Sequence, residues 1–164
     1  MMSSNFSISR IEQAKTIAAA RLKSVIPVCV NIKNPKNASA ILRTSEVLGI
    51  MEVFVIEENN RFCPLRSVTC GAEKWLKIRS FRRAEPALGE LKARGFRLFA
   101  AMPDGELLLE ELPVETSLAL LFGNEARGIP PHIVKACEAT FRIPMWGWTY
   151  SLNVAVAAGI ALYS

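Results

Sequence analysis

Asn37 and Arg43 are the first candidates for chemistry, an amide and a guanidinium six residues apart in Asn34-Pro35-Lys36-Asn37-Ala38-Ser39-Ala40-Ile41-Leu42-Arg43. On a helix that begins near Asn37, Arg43 lies roughly 9 Å further along the axis. Helical side chains lean toward the N-terminus, so a long arginine can return to the same opening. Taken alone, the pair reads better as an N-cap asparagine and a surface arginine. A second stretch runs from Leu120 to Ile129 and carries one carboxylate, Glu125, in a loop bounded by Gly123 and Gly128. Glycines there let main-chain groups approach a ligand closely; the plain alternative is a turn with an Arg127–Glu125 surface contact. The third, Ile143-Pro144-Met145-Trp146-Gly147-Trp148-Thr149-Tyr150-Ser151-Leu152-Asn153, opens the last helix. Ser151 is expected to cap that helix, with Asn153 in its first turn. Trp146, Trp148 and Tyr150 could stack on a base, but large loop aromatics more often pack, and packing is the expectation.

Several chemistries are excluded. Gly123 to Gly128 has the spacing of a phosphate loop, but Ile129 and Pro130 follow it instead of a lysine and a hydroxyl. Such a loop neither neutralises phosphates nor holds magnesium, so an NTPase is excluded. No G-x-G-x-x-G follows the first strand, so the common dinucleotide fingerprint is missing. Cys29, Cys63, Cys70 and Cys137 lack zinc spacing, and His132 is the single histidine. No metal site is therefore expected, and the thiols read as reduced.

The elements that must position these stretches alternate between strand and helix. Strands are expected at 25–32, 52–56, 76–81, 96–101, 117–122 and 140–143. Helices are expected at 38–48, 86–94, from 130 to 136, and at 151–163. Residues 59–72 read as a loop and Asp104-Gly105 as a turn. Ser9-Arg10-Ile11-Glu12 has the form of a capping box opening an N-terminal helix. Apolar strands without polar alternation imply a mostly parallel sheet flanked by helices, an α/β fold. The last helix is apolar on nearly every side, so it must be enclosed by its own subunit or by a partner.

A chain of 164 residues with 51% apolar and 21% charged side chains builds one folded domain. The longest near-apolar run, Val154 to Tyr163, is far shorter than the roughly 20 residues that span a bilayer. The N-terminus lacks the apolar centre of a signal peptide, so no membrane association and a cytoplasmic protein are expected. Charge is uneven: residues 1–100 carry 17 basic and 8 acidic side chains, residues 101–164 carry 3 and 7. A basic half attracts phosphate backbones, although a solvated basic face accounts for it equally well.

The three stretches, in this order and spacing, resemble the three motifs of the SpoU (TrmH-type) RNA ribose methyltransferases of the SPOUT superfamily. They read N-x-x-N-x-x-A-x-x-R, F-G-N-E-x-x-G and I-P-M-x-G-x-x-x-S-L-N-V. Gly71-Ala72-Glu73-Lys74-Trp75 resembles a segment of the tRNA guanosine branch. The resemblance implies a C-terminal trefoil knot, rare among folds, within a knotted domain at 25–164. It implies S-adenosylmethionine as methyl donor, S-adenosylhomocysteine as product, and a homodimer through the knot region and last helix. Carried over, the donor pocket uses Ala101, Met102, Gly123, Ile143, Met145 and Leu152. The catalytic set is Asn37, Arg43, Glu125, Ser151 and Asn153. The substrate implied is a ribose 2′-hydroxyl of RNA, tRNA first and rRNA as the alternative; the rival classes are a catalytically silent knotted RNA-binding protein and a flavodoxin-like nucleotide or flavin binder, for which the sequence offers no phosphate loop.

The chemistry requires alignment of hydroxyl, methyl and sulfur, which alone supplies roughly 7–11 kcal/mol, and removal of one proton. The family resemblance implies Arg43 as the base. A free guanidinium stays protonated far above neutral pH, so Arg43 is read here as binding phosphate and stabilising the developing alkoxide. Two departures stand out: Trp148-Thr149-Tyr150 is unusually aromatic, and Ala155 replaces a serine common after S-L-N-V. The sequence stops at Ser164, where close relatives carry a basic extension that helps grip tRNA. An N-terminal basic helix at 1–24, with Arg10, Lys15, Arg21 and Lys23, is therefore expected to contact RNA, together with Arg43.

Overall fold

The computed structural model describes residues 10–164. Seven strands form one sheet: β1 (Val25–Val30), β2 (Glu52–Ile56), β3 (Lys77–Phe81), β4 (Arg97–Ala101), β5 (Leu107–Leu108), β6 (Leu118–Phe122) and β7 (Ala139–Arg142). Their spatial order is β3-β2-β1-β6-β4-β7-β5, and every pairing is parallel. Helices α1 (Arg10–Ala19), α2 (Pro35–Val47), α3 (Arg66–Thr69), α4 (Ala84–Ala93), α5 (Pro131–Val134) and α6 (Val154–Tyr163) complete the chain. The capping box expected at Ser9 to Glu12 begins outside the described residues.

Central strands are apolar because both sheet faces are covered. On one face Cys29, Ile41, Leu42, Phe99, Phe122, Phe141 and Ala158 join β1, β4, β6 and β7 to α2 and α6. On the other, Ile26, Val28, Phe54, Leu88, Leu91 and Ile133 join the sheet to α4 and α5. Phe99, Phe122 and Phe141 are at most 1% exposed, and burial of each contributes roughly 1.5–3 kcal/mol. β1 and β6 pair in register, with Cys29 opposite Phe122, so the chain leaves both strands side by side.

Several boundaries differ from the sequence expectation, and β5 was not expected. β1 stops at Val30 because Asn31 turns into the left-handed region, with φ 53°. α2 starts at Pro35, capped by Asn34, whose side-chain oxygen accepts from the Lys36 N–H at 2.9 Å. Proline suits that first position because the missing N–H would have no helical partner. The stretch 59–72 is partly helical, containing α3 and the start of a 3₁₀ turn at Ala72–Lys74.

At the N-terminal end of the sheet Glu52 is 8% exposed. It lies 3.1 Å from Lys77 Nζ and 2.6 Å from Arg94 Nη2. Burial pushes its carboxyl up, but hydrogen bonds from Arg94 and Lys77 outweigh this and hold it below the ordinary range. Arg94 also lies over the Phe54 and Phe96 rings. Arg94→Met keeps the packing and leaves a buried carboxylate short of a partner. Urea unfolding at pH 7 is expected to show a loss of about 1–3 kcal/mol; an unchanged midpoint would contradict this account.

α1 is rooted at this same end, where the Leu22 N–H donates to the Gly49 carbonyl at 2.8 Å. Arg21 turns inward: it lies 3.6 Å from Glu46 and donates to the Trp75 carbonyl. Its guanidinium is thus engaged within the fold, whereas Lys15 and Lys23 are exposed. The Arg10 side chain lies outside the described side chains.

Candidate active site

Three loops leave the C-terminal ends of β4, β6 and β7, the end where open parallel sheets hold ligands. Between them lies a cleft of about 610 Å³. Phe122, Phe141 and Ile143 supply apolar lining, and Asp104 and Glu125 bring carboxylates to it. The six residues expected at a donor pocket, Ala101, Met102, Gly123, Ile143, Met145 and Leu152, all line this one cleft.

The loop after β6 is held tightly. Asn124 N–H donates to the Gly128 carbonyl at 3.0 Å, and Gly128 N–H returns to the Asn124 carbonyl at 2.8 Å. The Asn124 side-chain oxygen accepts from the Ala126 and Arg127 N–H groups at 2.9 and 3.0 Å. This presents Glu125 to the start of α2, not to Arg127. Its carboxylate accepts from Lys33 N–H at 3.1 Å, Asn34 N–H at 3.0 Å and Asn37 Nδ2 at 2.9 Å. Asn37, 7% exposed, accepts in turn from Asn153 Nδ2 at 3.1 Å. Asn153 is the N-cap of α6, its oxygen accepting from Ala155 and Val156 N–H at 2.9 and 3.4 Å. The expectation that Ser151 caps this helix is thus corrected. Ser151 sits two residues earlier and lines the cleft.

One hydrogen-bonded row therefore joins Glu125, Asn37 and Asn153, residues 88 and 116 positions apart along the chain. Partial burial raises the Glu125 carboxyl, but the bonds from Asn37, Asn34 and Lys33 lower it more, for a net shift below the ordinary value. A group whose folded pKa is lowered contributes stability above its unfolded pKa and loses it as pH falls through the folded value. Chemical denaturation is thus expected to show wild type weakening below about pH 4.3, the usual glutamate value, more steeply than Glu125→Gln. Parallel curves would contradict this. Beneath the cleft, burial and the charge of Glu125 push the Cys29 thiol up to about 12, which removes it as a nucleophile.

Arg43 is not part of the row. It is exposed on α2, outside the cleft lining, and makes no hydrogen bond or ion pair with the described residues. Val47, one turn on, is 72% exposed. α6 packs on α2, with Gly159 facing Thr44, and leaves Val156, Ile160 and Tyr163 exposed at 50%, 41% and 81%. The expected packing of the loop aromatics also fails within the chain, since Trp146, Trp148 and Tyr150 are 93%, 106% and 73% exposed. Sequence reasoning missed Asn31 and Asn124. An asparagine directly after a strand is the available signal, because asparagine tolerates the left-handed region.

A family profile of the SpoU rRNA methylases matches residues 24–163. The chain belongs to that family. Among SpoU relatives, the tRNA (guanosine(18)-2′-O)-methyltransferase of Borreliella burgdorferi is 32% identical over 95% of this chain and 71% of its own length. The solved A. aeolicus TrmH/SpoU tRNA modifying enzyme superposes with a TM-score of 0.86 at 32% identity. It covers 94% of this chain and 79% of that one. The AdoMet-bound rRNA methyltransferase of Sinorhizobium meliloti gives a TM-score of 0.78 at 25% identity, over 88% of this chain and 56% of that one. Among the described residues, no helix is long and apolar enough to cross a membrane.

Proposed function

We propose that this SpoU protein transfers the methyl group of S-adenosylmethionine to a ribose 2′-hydroxyl of RNA, with tRNA as the favoured substrate. The observation that carries the reading is the row Glu125–Asn37–Asn153, drawn from three distant segments to the edge of the cleft. The cleft volume is within the range of small-molecule sites. Its apolar lining suits a purine, and the carboxylates of Asp104 and Glu125 suit a cationic group. The residues present therefore fit the donor, and Ala101, Met102, Gly123, Ile143, Met145 and Leu152 would hold it. When bound, the donor supplies a methyl group already activated on a sulfonium sulfur. The protein's task is then alignment and charge. Asn153 fixes the start of α6, and Asn37 joins that start to Glu125. Arg43 binds the phosphate beside the target ribose and stabilises the alkoxide as the proton leaves to solvent.

Arg43 is exposed and lies outside the lining of its own cleft, and this supports a homodimer. A second copy would cover Val156, Ile160 and Tyr163 of α6 and Val47 of α2, an exposed apolar face with Arg43 beside it. Pairing there would deliver each Arg43 to the other subunit's cleft. The C-terminal knot belongs to the same reading. Gly105 presses on the Phe141–Arg142 main chain, and α6 then returns to α2, which supports a threaded crossing. Lys15, Lys23, Lys33 and Lys36 are exposed cations for the RNA backbone. The deciding experiment incubates the protein with methyl-labelled S-adenosylmethionine and either tRNA or rRNA, followed by digestion to nucleosides. Labelled 2′-O-methylnucleoside from tRNA is expected. Label from rRNA alone would move the substrate. No donor binding by calorimetry and no label in either RNA would overturn the reading.

A further inference from the structure

Asn31 lines no part of the cleft, yet four hydrogen bonds converge on it, one of them from the loop that does. It is 3% exposed, and at φ 53° it holds a left-handed conformation that side chains with a Cβ seldom adopt. Its N–H donates to the Ile56 carbonyl at 2.8 Å, which ties the end of β1 to the end of β2. Its side-chain oxygen accepts from the Asn59 N–H at 2.9 Å. The left-handed turn also swings its carbonyl out of the sheet ladder, and two amides converge on that oxygen. Asn60 Nδ2 donates to it at 3.2 Å, and Asn124 Nδ2 at 2.8 Å. Asn124 is the residue whose own oxygen holds the Ala126 and Arg127 N–H groups and so presents Glu125.

We infer that Asn31 is a positioning residue for methyl transfer, its left-handed main chain seating the Glu125 loop through the carbonyl–Asn124 bond. The inference rests on the methyl-transfer reading only for its kinetic consequence. The seat itself is geometric. It makes the main-chain conformation of residue 31, more than its side chain, the quantity that matters. Glycine adopts that conformation freely, whereas alanine does not.

Asn31→Gly and Asn31→Ala both lose the Asn59 contact and differ chiefly in tolerance of the left-handed turn. Single-turnover methyl transfer by Asn31→Ala is expected to be about ten-fold slower than wild type, with Asn31→Gly within about two-fold of it. KM for the donor should rise in Asn31→Ala as well, because the loop seated by Asn31 lines the cleft. Asn124→Asp keeps the acceptor for Ala126 and Arg127 but turns a carboxylate oxygen toward the Asn31 carbonyl. It should fall about ten-fold as well, which keeps the test open if Asn31→Ala does not fold. A second measurement is independent of catalysis: a pH titration of carboxyl-¹³C glutamate signals, with Glu125 assigned by its loss in Glu125→Gln. Glu125 should titrate below the ordinary glutamate range in wild type and Asn31→Gly. In Asn31→Ala and Asn124→Asp it should move up toward that range. Equal behaviour of the Gly and Ala variants, or an unchanged Glu125 titration in Asn124→Asp, would overturn the inference. A wild-type protein that methylates no ribose would overturn the functional reading instead, and the titration would still decide this one.

Discussion

Arg43→Ala is expected to lower kcat for RNA methylation roughly 10²–10³-fold, the usual effect of removing one donor to a developing oxyanion. Thermal stability should scarcely change. The reason is the unusual position of this side chain: it is exposed, outside the cleft lining, and without a partner among the described residues. A surface arginine with no contacts contributes little to folding, so a large kinetic loss would isolate a role in catalysis. Arg43→Lys keeps one charge and loses the planar fork that grips phosphate and alkoxide together. It should recover only part of the rate. A single-turnover pH–rate profile separates stabilisation from base catalysis. Stabilisation needs no ionisation that disappears in Arg43→Lys; base catalysis needs one. Mixing Arg43→Ala with Asn153→Ala adds a test of the dimer. If each arginine serves the other subunit, a mixed dimer regains one intact site and activity returns in part. Full inactivity of mixtures shown to exchange subunits would place Arg43 and Asn153 in the same site of the same chain.

The order of strands and helices was legible because both sheet faces are buried, and buried parallel strands are continuous apolar runs. The three polar stretches were legible as types, and the cleft gathers the six residues expected at the donor pocket, while Asn37 and Arg43 lie outside its lining. What sequence did not disclose is which polar group bonds which. Glu125 had an apparent neighbour in Arg127, two residues away. Its true partners are Asn37 and the amides of Lys33 and Asn34, about 90 residues earlier. Such pairing is set by the register of β1 with β6, a long-range property. The helix starts were misplaced for a related reason. Asn34 and Asn153 are the caps, while Asn37 joins Glu125 to Asn153 and Ser151 lines the cleft. Several asparagines and a serine are all good caps, and only the packed α2–α6 pair decides between them. Asn31 was absorbed into a strand because its neighbours Val30 and Ile32 are β-branched, and their strand propensity outweighed the asparagine's tolerance of the left-handed region.

Gly123→Ala is expected to have the second large effect, abolishing measurable donor binding and costing about 1–3 kcal/mol of stability, the usual range for overpacking. A Cβ on residue 123 would meet the Gly128 carbonyl carbon at 2.4 Å and the Ile129 nitrogen at 2.6 Å. Both are main-chain atoms, so no rotamer change relieves the contact. The Asn124–Gly128 bridge must open, and Glu125 leaves its three donors with it. Gly105→Ala makes a similar collision, 2.3 Å from the Phe141 carbonyl carbon. That collision falls on β7 and not on the Glu125 loop. It should cost comparable stability while leaving the Glu125 titration near its wild-type position. Gly159→Ala is the control, because its Cβ would meet only Thr44 Cγ2 at an ordinary 3.8 Å. Within a helix that change should be neutral or stabilising by up to about 1 kcal/mol. Calorimetry with S-adenosylmethionine and urea unfolding across the three variants separates the effects. Donor binding by Gly123→Ala equal to wild type would mean that the cleft does not depend on the close approach of residues 123 and 128. The donor would then have to be held by some other surface than the one these loops enclose.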